Sequence, residues 1–200
     1  KMKLIIISGP SGSGKTTLAD KILKKLKNST SLSTDNYYKT GIISYLLSKF
    51  VESYFDKTIS FNYNLFYKDF NYISKNRESN YKYSYDFKNK TIKKFSYKIS
   101  NIEFLILEGI FTKDLLINFD RQSCFFIEIK TNQMTCMNRV INRDVKERGK
   151  SKKVAKTDFL KSWRYYYSKN KNTNKNTNEL IYTKNTDIDL IIKKITNLKL

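Results

Sequence analysis

Short unbroken apolar runs alternate along this chain with longer stretches in which apolar residues recur every three or four positions. Leu4-Ile5-Ile6-Ile7 has no polar interruption and suits a strand buried on both faces. Leu18, Ala19, Ile22, Leu23 and Leu26 follow at helical spacing. Residues 30–34 read as a short second strand, and residues 42–55 and 64–75 as helices with mixed aromatic and aliphatic faces. Residues 81–87 and 91–99 are β-rich runs separated by Lys88-Asn89-Lys90, which predicts a hairpin. Phe104-Leu105-Ile106-Leu107 and residues 123–129 repeat the buried-strand pattern, and a helix is predicted over 132–147 with a break at Gly149. Residues 157–168 place Phe159, Leu160, Trp163, Tyr166 and Tyr167 on one helical face. Residues 169–178 are a polar Lys/Asn/Thr tract and read as a solvated linker, before a last strand at 179–183 and a last helix at 187–195. Alternating β and α elements predict an α/β fold, a mostly parallel sheet with helices on both faces. With 200 residues and 40% hydrophobic content, one domain over residues 1–200 suffices to bury one core.

The first apolar run leads into Gly9-Pro10-Ser11-Gly12-Ser13-Gly14-Lys15-Thr16, which satisfies G-x-x-x-x-G-K-[ST] at every fixed position, with Thr17 next. Strand, glycine loop and helix supply inward-facing backbone N–H groups and the positive end of a helix dipole, the requirements of a bound polyphosphate. A turn joining a strand to a helix accounts for Gly9 but gives no reason for Lys15 and Thr16. The expected ligand is ATP or another nucleoside triphosphate, held by Gly9, Ser11, Gly12, Ser13, Gly14, Lys15, Thr16 and Thr17.

Composition narrows the chemistry. With no histidine, imidazole bases and histidine metal ligands are excluded, leaving carboxylates, lysine, arginine and tyrosine. Cys124 and Cys136 lie in apolar contexts without C-x-x-C spacing, so neither zinc nor a disulfide framework is indicated. The early apolar run is shorter than a secretory leader requires, and the expectation is a soluble cytoplasmic protein with no membrane association. The formal charge of +21 invites a nucleic-acid reading, but lysines are spread over the whole chain as on a solvated surface, so nucleic acid is disfavoured as partner without being excluded. Arginine is scarce, and Arg139, Arg143 and Arg148 fall within ten residues.

Residues Gly9 to Thr17, Asp35-Asn36-Tyr37-Tyr38, Tyr85-Asp86-Phe87, Leu107-Glu108-Gly109-Ile110 and Arg143-Asp144-Val145-Lys146-Glu147-Arg148-Gly149 together resemble the signatures, in order, of the uridine kinase family of P-loop kinases, relatives of phosphoribulokinase. The resemblance covers residues 3–170 and implies a three-layer P-loop kinase with an acceptor-site insertion at about 60–100, including the hairpin, and a lid at about 148–156. Asp35, at the end of the second strand, is the candidate to orient or deprotonate the acceptor hydroxyl; a helix-capping aspartate is the alternative. Glu108 ends an apolar run, and Thr16, Glu108 and Asp35 are the candidate Mg²⁺ ligands. Lys15, Arg139, Arg143 and Arg148 are the candidates to act on the transferred phosphate. On an exposed helix, however, Arg143 with Glu147 and Asp144 with Arg148 are also i,i+4 ion pairs.

Tyr38, Asn62, Tyr85 and Phe87 are the candidate acceptor-binding residues, though a strand core explains Tyr85 and Phe87 equally well. The family's F-D-H-P segment is identified at Phe61-Asn62-Tyr63-Asn64, where Asn62 replaces an aspartate expected to hold ribose hydroxyls. The family's base-recognising histidine is absent, with Lys90 near its place, and Val140 stands where a second arginine often occurs. The expectation is an ATP- and Mg²⁺-dependent phosphotransferase acting on a hydroxyl of a small metabolite, a nucleoside or similar, through an altered acceptor site. The alternatives are a 5′-hydroxyl polynucleotide kinase, whose substrate would give the positive charge a purpose, and a nucleotide-binding relative without turnover. A homo-oligomer is left open.

Overall fold

The computed structural model describes residues 2–115, 124–169 and 179–197. The strands are β1 (Lys3–Ser8), β2 (Ser29–Ser33), β3 (Ser79–Asp86), β4 (Thr91–Ile99), β5 (Phe104–Glu108), β6 (Cys124–Ile129) and β7 (Glu179–Tyr182). The helices are α1 (Lys15–Lys25), α2 (Ile42–Phe50), α3 (Tyr63–Asn76), α4 (Thr112–Leu115), α5 (Gln133–Arg148), α6 (Lys152–Lys169) and α7 (Ile188–Thr196). Five strands form one parallel sheet in the order β2-β5-β1-β6-β7, with Ile5 level with Ile106 on one side and Phe125 on the other.

Side chains alternate between the faces of a strand, so β1 supplies both cores. Ile5 and Ile7 pack with Leu18 and Ile22 of α1 and Ile191 and Ile195 of α7. Leu4 and Ile6 pack on the other face with Tyr37, Phe61, Phe66 and Phe111. Covering both faces is what allows the central strands to be apolar throughout. Parallel strands also bring all their carboxyl ends to one rim, where ligands of open α/β sheets bind; Gly9, Thr34-Asp35 and Glu108-Gly109 meet there.

The β3–β4 hairpin forms a separate two-stranded sheet, paired Tyr85 to Ile92 and Asp86 to Thr91. The helix expected over 42–55 stops at Phe50. Ser53 takes a left-handed φ of 51°, and the chain turns inward to bury Tyr54, whose hydroxyl meets that of Ser44 at 2.9 Å. Single 3₁₀ turns over Tyr54–Asp56 and Thr58–Ser60 follow. The helix expected from 157 begins at Lys152, capped by the Ser151 hydroxyl, which accepts from Val154 N at 3.3 Å. Of the polar tract 169–178, Lys169 ends α6 and the remainder lies outside the described residues, as does residue 123. Among the described residues no helix is long and apolar enough to cross a membrane.

Candidate active site

Gly14, at φ 103°, caps α1 and turns the loop so that Lys15 begins the helix. A Cβ on Gly12 would fall 2.5 Å from the Cys136 carbonyl oxygen and 2.9 Å from Val140 Cγ2, so the loop lies directly against α5. Lys15 is buried, its Nζ donating to the carbonyls of Gly9 and Pro10 at 3.0 Å each. Burial lowers the Lys15 pKa, and the carboxylates of Asp35 and Glu108 oppose that shift. These contacts hold the ammonium among backbone carbonyls at the mouth of the loop.

Two strand ends close on this loop. The Thr16 hydroxyl donates to Glu108 Oε1 at 3.2 Å. Gly109 permits this approach, because a Cβ there would sit 1.9 Å from Thr34 Oγ1 and 3.1 Å from Asp35 Oδ1, and its φ of 133° disfavours any other residue. Burial, and then the nearby Asp35 carboxylate, push the Glu108 pKa up. Ser13 Oγ, Thr34 Oγ1, Asp35 Oδ1 and Glu108 Oε2 are buried without a hydrogen-bond partner among the described residues. Unsatisfied oxygens beside a phosphate nest fit a bound cation and phosphates. No three acidic, histidine or cysteine side chains gather on one point among the described residues, so a cation held here would need phosphate oxygens and water to complete its shell, as Mg²⁺ commonly does.

A cavity of about 660 Å³ runs from the P-loop past Asp35, Arg139 and Arg143 to Asn132 and the end of β7, where Tyr182 and Lys184 line it. The β7 end was not among the sequence candidates, since nothing in its local pattern separates it from an ordinary edge strand. A second cavity, of about 540 Å³, shares Ser11 and Arg143 with the first and is walled by Phe55, Asp56, Phe87, Lys90, Arg148 and Ser162.

The acceptor-site candidates divide. Phe87 lines the second cavity. Tyr38 and Tyr85 do not; they are buried behind it, Tyr38 donating to the Phe55 carbonyl at 3.0 Å and stacking its edge near Tyr85, Phe87 and Phe111. Their aromatic rings form the floor on which Phe55 and Phe87 rest. Asn62 has a structural role of its own. Its side chain accepts from Leu65 N at 3.1 Å as the N-cap of α3, and it lines neither cavity, because the helix start consumes its oxygen. Of the carboxylates in the wall of the second cavity, Glu52, Asp144 and Asp158 form ion pairs, whereas Asp56 is hydrogen-bonded by the Ser162 hydroxyl, and burial raises its pKa to about 6. A signal for it was present: Phe55-Asp56 satisfies the first two positions of F-D-H-P, whereas Phe61-Asn62 satisfies only the first.

Arg143, Arg148 and Lys150 converge on Asp144, which is 3% exposed. Arg143 donates to its Oδ1 from Nε at 3.0 Å and Nη2 at 2.8 Å, Arg148 Nε approaches the same oxygen at 3.4 Å, and Lys150 Nζ lies 3.2 Å from Oδ2. Burial raises the Asp144 pKa, but Arg148 and Arg143 outweigh it and the net shift is downward. Of the two i,i+4 pairs read from the sequence, Asp144 with Arg148 forms, whereas Arg143 pairs with its neighbour Asp144. Arg139 Nη1 donates to the Gly12 carbonyl at 3.2 Å. Gly149, at φ 68°, ends α5, and only residues 149–151 separate it from α6.

Over residues 4–178 the chain matches the phosphoribulokinase / uridine kinase family. It is 32% identical over 169 residues to a uridine kinase of Borrelia duttonii, covering 83% of this chain and 79% of that protein. It is 34% identical over 152 residues to a uridine kinase of Ureaplasma parvum, covering 74% and 72%. The fold is similar to that of D-glycerate 3-kinase from Cryptococcus neoformans, with a TM-score of 0.63 at 14% identity over 94% of this chain and 87% of that one. A complete P-loop, an acid at each neighbouring strand end and an arginine-bearing helix thus stand in a chain that is a kinase and belongs to the phosphoribulokinase / uridine kinase family.

Proposed function

We propose that this kinase moves the γ-phosphate of ATP to a hydroxyl of a nucleoside or similar small metabolite bound in the second cavity. The observation that carries this reading is the meeting of the two cavities at Ser11 and Arg143, beside Asp35. The loop amides and Lys15 hold the polyphosphate; Asp35 orients the acceptor hydroxyl and takes its proton; Arg139, Arg143 and Arg148 stabilise charge on the phosphoryl oxygens. Thr16 and Glu108, with Asp35, are the residues to hold Mg²⁺, which when bound neutralises charge on the β- and γ-phosphates. Residues 148–156, the Gly149–Ser151 joint with the first turn of α6, are the segment that closes over the reaction and excludes water.

Asp56 is the carboxylate that accepts from the acceptor's remaining hydroxyls, and Phe87, its ring stacked by Arg148, adds apolar surface to the cavity wall. One departure from the family's pattern lies near Lys90, whose ammonium only donates. A polynucleotide acceptor is less favoured, since Lys150 and Lys161 in this cavity already pair with carboxylates. Incubation with γ-labelled ATP and a panel of nucleosides and other small alcohols tests the reading: a labelled monophosphate is expected, and ATP turnover without any labelled acceptor would refute it.

A further inference from the structure

Asp69 is a buried carboxylate that this reaction scheme does not use. It sits on α3, is 4% exposed, and pairs with no Lys or Arg among the described residues. Both of its oxygens are instead taken by phenols from different elements: Tyr37 donates to Oδ2 at 2.9 Å and Tyr81 to Oδ1 at 2.8 Å. Burial, reinforced by Asp69 itself, pushes both phenols above their ordinary range, so both remain donors at any working pH.

The two phenols belong to the two halves of the site. Tyr37 lies two residues after Asp35 in the same turn. Its ring is fixed edge-on against Phe66, at 5.3 Å, and Tyr83, at 5.8 Å. Tyr81 lies on β3, the strand that runs on to Phe87 and the hairpin tip at Lys90. A second tie runs alongside, from Tyr85 N to Asn36 Oδ1 at 3.2 Å.

We infer that Asp69 is a positioning residue which, through Tyr37 and Tyr81, fixes the acceptor-cavity hairpin relative to the turn that carries Asp35. Stability alone does not require this arrangement. A buried carboxylate must be desolvated, and well-packed apolar side chains serve the core as well. What the charge adds is direction, because two charge-assisted O–H bonds to one carboxylate set the angle between two elements as apolar contact does not. Sub-ångström placement of the acceptor hydroxyl against Asp35 is worth a large factor in rate.

The inference rests on the kinase reading above, and its test separates the two. One arm is amide hydrogen exchange. Tyr81→Phe is expected to speed exchange in residues 81–87 and leave 35–38 protected; Tyr37→Phe is expected to free 35–38. The combined Tyr37→Phe, Tyr81→Phe, Asp69→Leu variant is expected to loosen both segments while melting near the wild-type temperature. The second arm measures transfer to uridine. Tyr81→Phe is expected to raise the uridine KM about 10-fold with kcat nearly kept, Tyr37→Phe to lower kcat about 10- to 100-fold, and neither to change ATP affinity by calorimetry. Unaltered exchange at both segments in the combined variant, or equal losses of kcat and KM in both tyrosine variants, would overturn the role of Asp69. Absence of uridine turnover by the wild-type protein would instead count against the nucleoside reading, and the exchange arm would still decide the Asp69 question.

Discussion

The guanidinium carbon of Arg148 lies 3.7 Å from the centroid of the Phe87 ring, so the end of α5 rests on the β3–β4 hairpin beside the second cavity. The same side chain reaches Asp144 through Nε, and its pKa is lowered by burial and by Arg143. Arg148 therefore joins three parts: the helix carrying Arg139 and Arg143, the joint at Gly149, and the β3–β4 hairpin.

Arg148→Ala is expected to reduce kcat about 10³-fold, the scale of an arginine acting on transferring phosphate. Loss of a largely desolvated cation–π contact removes about 2 kcal/mol, or about 4–8 °C in melting temperature for a chain of this size. Arg148→Lys keeps the charge and loses the planar fork, and should remain clearly impaired. Steady-state kinetics beside thermal melts decide: wild-type turnover with a lower melting temperature would make Arg148 a surface ion-pair residue only.

Asp56 gives a pH dependence with a defined sign. Its carboxyl is raised from 3.8 to about 6 by burial, with Ser162, Lys150 and Arg148 opposing and Asp35 adding to the shift. Protonation removes an acceptor of hydroxyl hydrogen bonds, so the acceptor KM is expected to rise as pH falls through about 6, and Asp56→Asn should abolish that dependence. For stability the sign reverses. A raised pKa means that the fold prefers the neutral acid, so the Asp56 penalty is absent below about 3.8 and complete above about 6. Acceptor KM profiles between pH 5 and 8, wild type against Asp56→Asn, test the assignment; identical profiles would exclude it.

Much of this was legible in the sequence because the chemistry sits where periodicity is strongest. Ile5 and Ile106 are buried on either side of a parallel pairing, and such runs announce both the sheet and the rim at which Gly9, Asp35 and Glu108 emerge. Asn62 shows where a local pattern says least. An asparagine before a helix is first a cap, and between Phe50 and Tyr63 the chain follows short 3₁₀ turns that have no long-range period to read. The aromatic residues were ambiguous for a related reason: Tyr38 and Phe87 have the same sequence character, but only tertiary packing puts one behind the cavity wall and the other on it. The pairing of Tyr37 and Tyr81 through Asp69 joins residues too far apart for any local pattern to reveal.

At the transfer end, Lys15→Ala is expected to weaken ATP binding and abolish transfer, since its ammonium serves the β- and γ-phosphates. Asp35→Asn should leave ATP affinity intact while slowing single-turnover transfer about 10²- to 10⁴-fold. Calorimetry and rapid-quench measurements separate these. Unchanged ATP affinity in Lys15→Ala, or an unslowed Asp35→Asn, would remove the corresponding residue from the site.

Lys90 sets the last expectation. It occupies a left-handed position, φ 55°, at the hairpin tip, where glycine or asparagine is more at ease. Its Nζ donates to Ser48 Oγ at 2.6 Å and lies 4.2 Å from the Tyr45 ring centroid. An ammonium has donors and no lone pair, so the part of an acceptor that meets Lys90 must present an oxygen and not an amino group. If the acceptor is a pyrimidine nucleoside, uridine, with its carbonyl edge, should exceed cytidine in kcat/KM. A donor facing a donor leaves both unpaired, which costs about 1–3 kcal/mol, a preference of about 5- to 150-fold. Lys90→Met keeps the length of the side chain and removes the donors, and should bring the two rates together mainly by lowering that for uridine. Competition between the two nucleosides in one reaction measures the ratio directly. A wild-type preference for cytidine, or a ratio that survives Lys90→Met, would show that Lys90 does not read the acceptor and that its reach toward Ser48 serves only to hold the hairpin tip against α2.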